Sequence, residues 1–140
     1  MKSSISAGEK KTLADYRWDN RIILMMIPTE SKTVRTQVEK VLIARRDDIA
    51  DRDLVVLDLS PNISKDKTKG AELVHLTSQS EANAIRKKFG LESSSQPVFV
   101  LIGKDGGEKS RQTGRLDLSA LFTLIDTMPM RRQEMRQSPN

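Results

Sequence analysis

Residues 28–33 read PTESKT and directly follow an apolar run at 22–27. Thr29 and Ser31 are the hydroxyls best placed for chemistry. They stand after Pro28 at the start of a helical pattern, where side-chain O–H groups and unpaired backbone N–H groups suit an anion. The same residue types are common caps and turn formers, so a purely structural role stays open. A second group is Gln96-Pro97-Val98, where a proline precedes another apolar run. A third is MPMRRQEMR near the end of the chain. Arg131, Arg132 and Arg136 could hold phosphate or an acidic partner through their planar guanidinium forks, with Met128, Met130 and Met135 as an adaptable apolar surface. Alternatively, Met128 and Met130 pack on the sheet and the arginines cover a helix C-terminus.

Other residues point less far. Asp58 ends an apolar run, where α/β folds often place functional acids; a polar strand end is the commoner explanation. His75 has no serine and acid partners legible in the sequence, so no triad is assigned. GKDGG at 103–107 lacks the spacing of a phosphate loop and joins two strands, which makes Lys104 a solvated turn residue. Tyr16 and Trp18 read as a lid over the core. No catalytic residue is assigned.

Composition removes whole classes of activity. The 140 residues include no cysteine, which excludes disulfides, thiol catalysis, iron–sulfur clusters and cysteine-held zinc. One histidine rules out a histidine-rich metal site, and no cofactor is expected. Lys plus Arg is 24 against 19 Asp plus Glu, a net charge of +5, but the excess is scattered and only five aromatics accompany it. Nucleic-acid binding is therefore not expected. No apolar run is long enough to cross a membrane. The first residues lack a signal-peptide core, so the expected location is the cytoplasm, with a mature exported fragment as the alternative.

The elements that must position these residues follow from periodicity. RIILMMI, with a core at 22–27, reads as a strand buried on both faces. Val34, Val38, Val41, Leu42 and Ile49 recur at helical spacing over 31–49. LVVLDLS supplies a second buried strand at 54–59. Residues 61–70 read as a polar loop, and ELVHL offers a short edge strand. Ser78 and Glu81 form a capping-box pattern ahead of a helix at 80–89, with Gly90 where its C-terminus wants a positive φ. Residues 98–102 form a third strand, 108–111 a polar edge strand, and Asp117 caps a helix that Pro129 ends. Residues 130–140 read as a basic tail.

This order gives an α/β, thioredoxin-like fold with a central mixed four-stranded sheet flanked by helices. Such folds place a cis proline before the third core strand, where Pro97 stands. A trans proline that merely opens the strand is the alternative. With a cis bond, the backbone of Gln96 and Val98 would lie open to an extended peptide or a glutathione-like ligand, in one cleft with Pro28, Thr29 and Ser31.

YRWDNRIIL, the stretch FG followed by PVFVLIGKDGGEKSR, and LFTLIDTMPMRRQEMR together resemble the family named domain of unknown function 4174. The resemblance implies a thioredoxin/peroxiredoxin-like fold and brings no established activity. Redox relatives of that fold carry a cysteine at the start of the first helix, and PTESKT carries none. The expectation is one domain over 13–136 between flexible segments at 1–12 and 137–140. Its expected role is non-catalytic protein or peptide binding; the alternative is a non-thiol enzyme or a binder of a small anion. The oligomeric state is left open.

Overall fold

The computed structural model describes residues 12–61, 74–92 and 95–137. A 3₁₀ turn, Leu13–Tyr16, leads into β1 (Arg21–Met26), α1 (Lys32–Ala44), α2 (Arg46–Asp51) and β2 (Leu54–Asp58). There follow β3 (Val74–His75), α3 (Gln79–Lys88), β4 (Val98–Ile102), β5 (Glu108–Thr113), α4 (Leu118–Asp126) and α5 (Pro129–Gln137).

The strands form one sheet in the order β3-β2-β1-β4-β5. β1 runs parallel to β2 and antiparallel to β4, with Ile23 opposite Val56 on one side and Leu101 on the other. The sheet therefore has five strands rather than four, because Val74 and His75 pair in parallel with Val56 and Leu57. The short edge strand read in ELVHL is thus the fifth member of the sheet, only two residues long.

Successive β1 side chains leave on opposite faces of the sheet, as the pleat requires. Ile23, Met25 and Ile27 pack with Val38 and Leu42 of α1 and Leu121, Phe122 and Ile125 of α4. Ile22, Leu24 and Met26 pack with Tyr16 and with Ala82 and Ile85 of α3. Burial on both faces explains the unbroken apolar runs of β1, β2 and β4.

Ser78 caps α3 by accepting a hydrogen bond from Glu81 N–H, and Asp117 caps α4 by accepting one from Ala120 N–H, as their spacing anticipates. Gly90 ends α3 at φ 71°. Three expectations need correction. The helix over 31–49 is two helices, broken at Arg45. Pro129 starts a helix as its first residue, a position where a missing N–H costs nothing, so the basic tail is α5 up to Gln137. Trp18 is no core lid: Tyr16 is buried, but Trp18 is 57% exposed.

Candidate functional site

Chemistry-bearing residues gather at both ends of the central strand pair. At one end β1 finishes and β4 begins, with Met26 opposite Val98. Pro28, Thr29 and Ser31, which follow β1, thus lie at the same end of the sheet as Gln96, Pro97 and Val98, which open β4. Pro28, Pro97 and Val98 are buried, Thr29 and Gln96 are exposed, and Ser31 is half-buried. No peptide bond among the described residues is cis, so Gln96–Pro97 is trans. β4 also pairs with β1 on one side and β5 on the other, and Pro97 O accepts a hydrogen bond from Gly114 N–H at 2.8 Å. The open backbone edge expected beside Pro97 is therefore filled by the chain's own strands.

Among the described residues, no acid or base is hydrogen-bonded to the Thr29 or Ser31 hydroxyl. Ser31 sits at the N-cap of α1, but its side chain makes no capping hydrogen bond. Ser60 Oγ accepts from Ile27 N–H at 2.9 Å, and Ser60 N–H donates to Asp58 Oδ1 at 3.0 Å. The second oxygen of Asp58 accepts from the Arg35 guanidinium at 3.1 Å, and the Asp58 side chain is fully buried. Asp58 thus closes the end of β2 against α1. It is a satisfied buried acid.

At the opposite end β1 begins, β4 finishes and α5 crosses below. Arg21, only 1% exposed, donates through both terminal nitrogens to Glu134 of α5, at 3.1 and 3.2 Å, and to Arg52 O at 2.9 Å. Its Nε is enclosed without a partner among the described residues. Lys104, expected in solvent, is 8% exposed and donates to Asp53 at 2.8 Å and Glu134 at 2.7 Å. Arg131 is likewise withdrawn from any outside partner, with 5% exposure. It binds the Asp51 carboxylate at 2.6 Å, Asp51 O at 2.9 Å and Asp126 at 3.1 Å. Arg132 and Arg136 remain exposed, and neither makes an ion pair among the described residues.

The network explains its own electrostatics. Burial pushes the Glu134 carboxyl up, but hydrogen bonds and charge from Arg21 and Lys104 outweigh it and leave the group below the usual carboxylate range. Asp126 behaves alike: burial opposes, and Arg52 and Arg131 prevail. Away from the network, burial first and the Asp15 charge second push the Tyr16 phenol up to about 12, and its hydroxyl lies 2.9 Å from His75 Nδ1.

Sequence reasoning missed this network, although two signals pointed to it. Arg21 directly precedes a strand buried on both faces, and Glu134 is the sole carboxylate in MPMRRQEMR. Beside the network lies a cavity of about 380 Å³, walled by Leu124, Met128, Pro129 and Met130 and bordered by Lys104 and Asp105. Leu124 and Met130 are among the exposed large hydrophobic residues of the described surface, together with Trp18 and Met135.

Comparisons with known proteins bear on the family and the fold. Residues 12–134 match the family model described as Domain of unknown function (DUF4174). No curated protein matches the chain. Among solved structures, Peroxiredoxin Q of Xanthomonas campestris is similar at 14% identity, covering 92% of this chain and 88% of that chain with a TM-score of 0.63. Thioredoxin peroxidase I of Plasmodium yoelii shares 17% identity over 91% of this chain and 83% of that one, TM-score 0.61. A thioredoxin-family thiol:disulfide interchange protein of Chlorobium tepidum TLS shares 13% identity over 84% and 89%, TM-score 0.59. The likeness shows the fold: α/β, thioredoxin-like, with a mixed five-stranded sheet flanked by helices.

Proposed function

We propose that this chain, which belongs to the DUF4174 family, is a non-catalytic thioredoxin-like module that binds a protein or peptide partner. One observation carries the reading. Trp18, Leu124 and Met130 are left in water at the end of the sheet where α5 docks, and two of them wall a cavity. Single exposed apolar residues are ordinary, but several gathered beside a pocket mark an interaction surface.

The other end supports the same reading by what its residues are committed to. The similar structures are those of thioredoxin and peroxiredoxin proteins, whereas this chain has no cysteine to share such chemistry. Asp58 is engaged by Arg35 and Ser60, and Thr29 has no hydrogen-bonded base among the described residues. Arg132 and Arg136 stay available as flanking cations; Arg131 does not. A second reading, a small anion at the start of α1, has one observation in its favour: no side chain caps that helix and its first turn holds no acid.

The test is selection of a displayed random-peptide library on the immobilised full chain. The reading expects an enriched apolar motif whose synthetic peptide binds the wild type and loses about tenfold or more in affinity with Met130→Asp. Failure to enrich any motif, or a peptide indifferent to Met130→Asp, would overturn it.

A further inference from the structure

We infer that the partner at this end is a second copy of the chain, bound two-fold symmetrically, with the Trp18 indole of each protomer seated in the cavity of the other. The inference rests on the binding-module reading above and names its partner.

A two-fold contact is made by one surface meeting itself, so the knob and the hole must sit side by side on the same chain. Here they do. Trp18 N–H donates to Lys104 O at 2.6 Å, and Lys104 lines the cavity. The knob is held out by the backbone: Trp18 has φ 72°, a left-handed conformation that bulky side chains rarely adopt, and the residue is 57% exposed. The hole can take an aromatic ring. Its volume of about 380 Å³ is at the small end of the range for ligand sites; its apolar walls are Leu124, Met128, Pro129 and Met130, and charged Arg21, Lys104, Asp105 and Lys109 also line it. Tryptophan is also the residue type that most often anchors such contacts.

Charge decides between a second copy and a strongly acidic partner. Charges on a surface that meets itself need both signs to pair, whereas an acidic partner calls for one. The rim shows both, through the Lys109–Asp105 pair at 2.9 Å and the exposed carboxylate of Asp53, which holds buried Lys104 at 2.8 Å. Arg17, whose guanidinium lies 5.0 Å from the Trp18 ring centre, is the cation beside the knob, and Asp105 is a carboxylate beside the hole.

Trp18 is the only tryptophan, so its emission reports the contact directly. Sedimentation velocity and fluorescence are read over a concentration series of the full chain. The expected result is a dimer whose formation tracks a blue shift of the emission. Trp18→Ala and Leu124→Asp, each checked for a native circular dichroism spectrum, should weaken dimerisation by about thirtyfold or more. A chain that stays monomeric up to millimolar concentration overturns the inference, and so does a dimer that survives Trp18→Ala. Either outcome leaves the peptide selection, and with it the binding-module reading, to stand or fall separately.

Discussion

Glu134 on the last helix accepts two hydrogen bonds from Arg21 at the start of the first strand, at 3.1 and 3.2 Å, across 113 residues of sequence. This pair, with Lys104, joins three segments that carry the family resemblance and fixes α5 beneath the sheet.

Removing one partner leaves a buried cation uncompensated. Glu134→Ala should therefore cost about 2–3 kcal/mol, somewhat less than for a fully buried pair because Glu134 keeps a quarter of its side chain in solvent. The double change Arg21→Met with Glu134→Leu should recover much of that loss, since an apolar pair of similar volume is often neutral. Urea denaturation of the three proteins checks both figures.

The same network sets a pH dependence. The folded-state carboxyls of Glu134 and Asp126 titrate below their ordinary values, so the stability they contribute is full above the ordinary carboxylate range and is lost as pH falls through the lowered values. Stability should decline on acidification below about pH 5, and Glu134→Gln should flatten part of that slope. Denaturation midpoints across an acid series supply the measurement. A slope unchanged by Glu134→Gln would contradict the assignment.

Hydroxyls that cap should differ from hydroxyls that do not. Ser78→Ala removes the acceptor of Glu81 N–H and should cost about 1 kcal/mol. The double change Thr29→Ala, Ser31→Ala should stay within about 0.5 kcal/mol of wild type, because Ser31 makes no cap bond and Thr29 is exposed. Thermal or chemical melts distinguish the two.

The backbone at Trp18 offers a comparison independent of its ring. At φ 72° alanine bears the left-handed penalty and glycine does not, so Trp18→Gly should be more stable than Trp18→Ala by about 1 kcal/mol. Equal stabilities would mean that the loop relaxes out of that conformation.

The buried strands, the caps at Ser78 and Asp117 and the thioredoxin-like order were legible because each rests on local chemistry: continuous apolar runs, or one side chain meeting an N–H three residues on. The site was less legible for the opposite reason. Lys104 is buried because Asp53 and Glu134, 51 and 30 residues away, supply its counter-charges. No local pattern records such a meeting. Pro97 illustrates a residue whose type fits two backbone states, and strand pairing on both sides of β4 decides what its neighbours can do.

The most direct test of the account is an amide chemical-shift map of the labelled protein, titrated in parallel with the selected peptide and with millimolar reduced glutathione. The account predicts saturable peptide shifts at Trp18, Lys104, Leu124 and Met130, with Thr29, Ser31, Gln96 and Val98 unmoved by glutathione. Saturable glutathione shifts at those four residues, with a silent surface around Met130, would contradict it and place the binding site at the start of the first helix.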